Sequence, residues 1–344
     1  MTTPVVTLVV PCYNEEEILP HTLKTLHHLV NDLMQERVIS EESRILFVDD
    51  GSHDATWSII YQESLKSKNI RGLKLARNAG HQHALLAGLF AAKTVSDCVI
   101  SLDADLQDDI GIIRLFIEKF NEGNEIVYGV RRKRDTDTWF KRVTAQGFYK
   151  FMEKLGVPLV YNHADYRLMS KRALDALEHF DEVNLFLRGI VPLIGFQSTE
   201  VYYDRKERLA GETKYPLKKM LGFAFNGITS FSVTPIRFVM LIGCAFFFTS
   251  LIFLCYFLAL KFSGATESGW TSLITSIWLI GGLQLMAIGL IGEYIGKVYQ
   301  ESKRRPKYIV DVDLFNLGIP KVDHHDQEIF EEEPLQSIMM SKSN

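Results

Sequence analysis

Four aspartates crowd into the seven residues Asp103-Ala104-Asp105-Leu106-Gln107-Asp108-Asp109, just after the apolar run Cys98-Val99-Ile100. Like charges at that density repel, so either solvent screens them or a cation lies among them. Asp103 and Asp105 are two apart and project to one side if the strand geometry persists. Gln107 continues that side with a neutral oxygen. Two carboxylates and an amide make a hard, incomplete coordination shell, which Mg2+ or Mn2+ would complete with water and phosphate oxygens. Asp108 and Asp109 precede the apolar run Ile110-Gly111-Ile112-Ile113 and read as acids at a helix N-terminus, where the macrodipole favours them.

The elements that must position this loop are legible nearby. Apolar, β-rich runs occur at residues 5–10, 44–49, 72–76, 97–103 and 125–130. Helical patterns separate them, at 20–36, 54–67, 82–94 and 110–122. In the first, Leu23, Leu26, Leu29, Val30, Leu33 and Met34 form one stripe at helical spacing, and Pro20 suits the first helical position. Strands alternating with helices predict a parallel sheet with right-handed crossovers. Three further polar motifs follow strands: PCYNEE at 11–16, DDGSHDAT at 49–56 and ARNAGHQ at 76–82. With the acidic loop they occupy one rim, the carboxyl ends of the strands, where open α/β sheets bind ligands. No GxGxxG opens the first strand–helix turn and no GxxxxGK[ST] occurs, so dinucleotide-dehydrogenase and P-loop readings lack their phosphate cradle.

Composition narrows the class further. The chain has 344 residues and a net charge of −4, which argues against a nucleic-acid partner. Its four cysteines form no CxxC and suit a reducing compartment, and the N-terminus has no basic n-region of a signal peptide. Two runs, 238–260 and 270–292, carry no charge, and about 20 apolar residues suffice to cross a bilayer. The linker Lys261–Gly269 is short. Lys218, Lys219 and Arg237 precede the first run and Lys297, Lys303, Arg304, Arg305 and Lys307 follow the second. The positive-inside rule then predicts a multi-pass inner-membrane protein with a two-helix transmembrane hairpin, its catalytic domain and both termini cytoplasmic. The expected organisation is a catalytic domain at 1–213, a juxtamembrane amphipathic helix at 214–235, transmembrane helices at 236–260 and 270–293, a basic return segment at 294–320 and a mobile acidic tail at 321–344. Residues 137–155 also have amphipathic character, and the Tyr308-Ile309-Val310 stretch is a candidate for a short strand returning to the sheet.

PCYNEE, VDDGSxDxT, RNxG, DADLQD and the later RLAGETKY together resemble the family 2 glycosyltransferases with a glycosyltransferase-A fold. They resemble more closely the bacterial polyprenyl-phosphate glycosyltransferases, relatives of dolichol-phosphate mannose synthase. The resemblance covers about residues 5–310. It implies an α/β, Rossmann-like, mostly parallel sheet flanked by helices, and inverting transfer of one sugar from a nucleotide sugar to undecaprenyl or another polyprenyl phosphate, for modification of cell-envelope glycans. UDP-glucose and UDP-N-acetylglucosamine are the favoured donors, and a separate flippase is an implied partner. Oligomeric state stays open, a homo-oligomer included.

By the same resemblance, Pro11, Tyr13, Glu15 and Asp50 hold the nucleotide base and ribose, with Arg77 nearby. Asp103 contacts the nucleotide side, and Asp105 and Gln107, with Asp103, bind the metal that bridges the diphosphate. Asp165, in NHADYRLMS, matches the family's catalytic position, where it does base-like or orienting work, or else holds Arg167. Arg131, Arg134, Arg142, Arg208 and Lys214 are the available cations for an acceptor phosphate, and the resemblance selects Arg131, Arg208 and Lys214. A phosphate monoester has a second pKa of about 6 and is mostly dianionic near neutrality, so it needs little help from a base. The chain departs from the family at Thr213, commonly serine, and at His81-Gln82-His83, where RNxG is often followed by lysine. HxH suggests zinc, but no third ligand of suitable spacing accompanies it. The rival readings are a processive polysaccharide synthase, which typically carries a QxxRW motif missing here, and a non-catalytic membrane nucleotide-sugar sensor.

Overall fold

A computed structural model describes residues 3–132, 163–182, 185–204 and 269–316, with scattered helical residues between 236 and 252. Arg134, Arg142, Arg208 and Lys214 lie outside the described residues, as do Thr213, the segments 137–155 and 214–235, most of 236–260, and the tail 321–344.

Eight strands form one sheet in the order β7-β5-β6-β4-β1-β2-β3-β8. They are β1 (Val6–Cys12), β2 (Arg44–Asp49), β3 (Ile70–Leu75), β4 (Cys98–Ser101), β5 (Ile126–Arg131), β6 (His163–Ser170), β7 (Ser198–Tyr203) and β8 (Val310–Asp313). The central strands β3, β2, β1 and β4 run parallel, as the alternation predicts. β6 enters between β4 and β5 antiparallel to both, and β8 closes the β3 edge antiparallel, so the mostly parallel sheet is mixed at these two strands. The helices are α1 (Leu19–Gln35), α2 (Thr56–Lys66), α3 (His81–Ala92), α4 (Ile113–Asn121), α5 (Lys171–Glu178), α6 (Leu187–Ile190) and α7 (Trp270–Ser302).

Strand residues alternate between two buried faces, as helices on both sides demand. Val6, Leu8, Val10, Ile45 and Phe47 meet Leu19, Leu23 and Leu26 of α1, Ile60 of α2 and Phe116 of α4. Val9, Leu46 and Val48 meet α3, α5 and α6 on the other side. There α3 lies so close that a Cβ on Gly88 would stand 2.4 Å from Val9 Cγ1 and 2.7 Å from Val48 Cγ2.

The loops on the carboxyl rim lock one another. Asn14 adopts φ 53°; its amide N–H donates to Ser52 Oγ at 3.0 Å, and its Oδ1 accepts from the His53 N–H at 2.9 Å. Glu16 and Asp54 exchange similar bonds: the Ala55 N–H donates to Glu16 Oε2 at 2.9 Å and the Glu16 N–H to Asp54 Oδ2 at 3.2 Å. Buried Asp50 accepts the Ala79 and Gly80 N–H groups at 2.7 and 2.9 Å. That capture draws residues 77–78 over Gly51 (φ 66°), where a Cβ would meet the Arg77 carbonyl carbon at 2.5 Å. Only glycine meets both demands there.

Among the described residues no helix is long and apolar enough to cross a membrane. This corrects the expected two-helix transmembrane hairpin and the multi-pass inner-membrane placement drawn from it. The apolar run at 270–292 is not a free-standing span: it belongs to α7, which continues through Glu293, Lys297 and Glu301 to Ser302. Those three charges recur every four residues and so share one helix face. Charge-free length in the sequence was therefore a poor guide to where the helix ends. The chain after α7 does return to the sheet, as β8.

Gly88→Ala is expected to lower stability by about 1–3 kcal/mol through overpacking against Val9 and Val48, read as a fall in the urea midpoint at unchanged slope. Asp50→Asn sets an amide N–H against one of two backbone donors and should cost about 1–3 kcal/mol. Hydrogen exchange at Ala79 and Gly80 should accelerate more than exchange in the central strands.

Candidate active site

The acidic loop is a turn, not a continued strand. β4 ends at Ser101, the Leu106 N–H donates to the Asp103 carbonyl at 3.3 Å, and Leu106 has φ 48°. Asp105 Oδ1 accepts the Gln107 N–H at 3.3 Å, the local side-chain bond with which aspartate builds turns. Strand periodicity therefore does not set the relation of Asp103 to Asp105. Thr22 of α1, fully buried, ties the loop down by donating to the Ala104 carbonyl at 2.7 Å.

The other two acids do separate work. Asp109 accepts the Gly111 N–H at 3.2 Å and caps the 3₁₀ turn before α4, close to the sequence expectation. Asp108 instead is buried and accepts from Arg131 Nη2 at 2.9 Å and from the Tyr203 hydroxyl at 2.6 Å. Arg131, expected at an acceptor phosphate, thus pins the loop to β5 and β7.

Because β6 is antiparallel to β4, its first residues lie at the carboxyl rim; Ser101 pairs with Arg167. This brings Asp165 to the acidic loop. Asp165 Oδ1 accepts Arg167 Nη2 at 2.6 Å and Arg188 Nε at 3.3 Å, and Oδ2 accepts Arg188 Nη2 at 3.1 Å. Burial pushes the Asp165 carboxyl up, but Arg188 and Arg167 outweigh it and hold the group well below the usual carboxylate range. His81, at the start of α3, bridges the two acidic elements. Its Nε2 lies 3.8 Å from Asp103 Oδ1 and 3.9 Å from Asp165 Oδ2. Gln82 Oε1 accepts the Leu187 N–H at 3.1 Å, and His83 Nδ1 meets the Ala79 carbonyl at 2.9 Å. The two histidines therefore have different partners.

The remaining expected residues occupy the same rim. Pro11 is buried near the end of β1, Tyr13 beyond it is 40% exposed, and Arg77 is exposed. The Glu15 N–H donates to Thr56 Oγ1 at 2.9 Å, so its backbone belongs to the interlocked loops. Asp49, which sequence reasoning passed over, ends β2 fully buried; burial pushes its carboxyl up, and Oδ2 has no hydrogen-bond partner among the described residues. Arg188 was also missed. Its signal was an arginine inside Phe186-Leu187-Arg188-Gly189-Ile190, a charge in an otherwise apolar run.

The donor set suits a divalent cation. Asp103 keeps 42% of its side chain in solvent. Its carboxyl is nevertheless pushed up, first by the protein around it, against the pull of His81, and then by Asp165, Asp108 and Asp105. A cation would relieve that mutual repulsion. Among the described residues no three His, Cys, Asp or Glu side chains gather as a ready metal cluster.

The profile of the family described as Glycosyl transferase family 2 matches residues 7–178. Glycosyltransferase YkoT of Bacillus subtilis (strain 168) is 61% identical over 328 residues, spanning 95% of this chain and 97% of that protein. A prophage bactoprenol glucosyl transferase homolog of Escherichia coli (strain K12) is 40% identical over 308 residues, 89% of this chain and 98% of its own. The bactoprenol glucosyl transferase of Shigella phage SfV is likewise 40% identical, over 89% of this chain and 97% of its own. With a loop of this chemistry on the rim of a sheet of this topology, the chain belongs to glycosyl transferase family 2.

Proposed function

We propose that the protein transfers a single sugar, glucose foremost, from a nucleoside-diphosphate donor to a polyprenyl phosphate. The observation that carries this reading is the 40% identity, over 89% of the chain, to proteins named as bactoprenol glucosyl transferases. The acidic rim supports it. Tyr13 offers an exposed ring at the end of β1, beside the interlocked loops that carry Glu15 and Asp50. These, with Pro11, Arg77 and Asp103, form the seat for base and ribose. Asp103 and Asp105, with Gln107 following, would hold Mg2+ or Mn2+. Such an ion, when bound, supplies charge neutralisation for the departing diphosphate.

The acceptor phosphate needs no activation beyond placement. One of its oxygens attacks the anomeric carbon opposite the leaving group, forming a new C–O bond. The bond from that carbon to the diphosphate breaks, and its electron pair leaves with the nucleoside diphosphate. In-line attack inverts the anomeric centre. No proton changes hands if the phosphate arrives dianionic, as most of it does above its second pKa of about 6. Holding the reactants in line is then the protein's largest task.

The test incubates purified protein with labelled UDP-glucose, Mg2+ and detergent-dispersed polyprenyl phosphate. A chloroform-soluble, acid-labile product that disappears with chelator is expected, while a long water-soluble polymer, or nucleotide binding without turnover across donors, would overturn the reading. Asp105→Asn should lower kcat/KM by roughly a hundredfold, about 2.7 kcal/mol of transition-state stabilisation, through loss of a metal-held charge contact.

A further inference from the structure

The residue between the two leading acids of the rim loop is apolar and lies in the core. Ala104 is buried and packs with Leu19 and Leu23 of α1, and Leu102 and Leu106 join the same core on either side of it. Asp103 and Asp105 alternate with these three and stay half-buried at the rim. The loop is therefore drawn inward at Ala104 while its acids crowd together outside. Asp165, Asp108 and Asp105 all act against a negative charge on Asp103. Such carboxylates spread apart unless the backbone between them is held.

One side chain holds that backbone. Thr22, one turn into α1, is fully buried, and its hydroxyl lies 2.7 Å from the Ala104 carbonyl and 3.2 Å from the Ile18 carbonyl. A hydroxyl carries one proton, and the shorter contact directs it to Ala104. Threonine inside a helix commonly bonds back to the carbonyl four residues earlier, so here the helix's own turn yields its donor to the loop. Among the described residues the Ala104 carbonyl has no other hydrogen-bond donor. The tether has a firm root. Leu19, Leu23 and Leu26 bury the same helix in the core, and the Ile18 and Leu19 N–H groups donate to the Glu15 carbonyl at 3.1 and 2.9 Å. The start of α1 is thereby continuous with the loop that carries Tyr13 and Glu15.

We propose that Thr22 is a positioning residue for the cation seat: its hydroxyl clamps the Ala104 carbonyl to α1 and keeps the Asp103 and Asp105 carboxylates gathered before an ion arrives. The inference rests on the cation-assisted transfer given above. Gathering mutually repelling groups in the folded protein removes that cost from the binding step and so raises affinity. Valine at position 22 would keep nearly the same shape and remove the donor, leaving a buried carbonyl unpaired. Serine would keep the donor and lose a methyl group.

Titration of Mn2+ into the full-length protein with UDP present, counting free ion by electron paramagnetic resonance, tests this without turnover. Thr22→Val should raise the Kd for Mn2+ roughly tenfold, the effect of one buried hydrogen bond carried into affinity. Thr22→Ser should stay within about twofold of the wild type, because the donor is retained. Gly88→Ala, which loses stability on the opposite face of the sheet, should leave that Kd unchanged. In transfer assays Thr22→Val should need more Mn2+ for its half-maximal rate and recover most of kcat once Mn2+ saturates. An unchanged Mn2+ Kd in Thr22→Val, whatever its urea midpoint, would overturn the proposal, as would a Thr22→Ser protein as weak as Thr22→Val. If Thr22→Val does not fold, Thr22→Ala is read in the same way. Wild-type protein that binds no Mn2+ beside UDP would remove the cation seat and this inference with it. Wild-type protein that binds Mn2+ but transfers no sugar would refute the reaction alone, and the ratio of Kd values would still decide the role of Thr22.

Discussion

The site depends on a charge balance around one carboxylate. Arg167 lies wholly inside the protein, and a buried guanidinium is tolerated only when an anion and hydrogen-bond acceptors surround it. Asp165 meets that requirement at the first turnward residues of β6. Once Asp165 is fixed there, Arg188, His81 and the start of α6 take their places around it. The ion cluster is therefore a structural necessity before it is chemistry.

β6 makes this geometry attainable. A parallel strand beside β4 would begin at the opposite edge of the sheet and send residue 165 away from the acidic loop. Running antiparallel, β6 begins where β4 ends, and the Ser101 hydroxyl donates to the Asp165 carbonyl across that junction. Residues some sixty positions apart in sequence thus meet at the rim. The βα loops then make one half of the rim, and the inserted strand supplies the second half.

Much of this was legible in the sequence. Apolar runs located the five strands up to residue 130, the stripe of leucines located α1, and the polar motifs at strand ends located the rim. What failed depended on partners far along the chain. Asp108 and Asp109 look alike in sequence, yet Tyr203 and Arg131 make one an ion-pair partner while a local turn makes the other a cap. Asn14, Glu16 and Asp54 lie inside the rim motifs, and their bonds hold loop to loop. Arg188 stood out only as a charge in an apolar run, and its partner could not be read there, since only the fold puts it on Asp165. The charge-free run at 270–292 misled differently: hydropathy measures composition along a window and says nothing of how far a helix continues.

β8 gives the molecule a particular order of assembly. Its partner β3 is made early, but the residues that cover β3's outer edge come only after α7, long after β3 in the chain. The Ala76 N–H, one residue before the Arg77 loop, bonds to the Ile309 carbonyl at 2.9 Å, and Lys307 reaches the Phe180 carbonyl at 2.8 Å. An uncovered strand edge invites pairing with other chains. A nascent chain emerging from the ribosome therefore carries a sticky, unfinished flank beside the Arg77 loop until β8 has been made, and a product truncated before β8 would keep it.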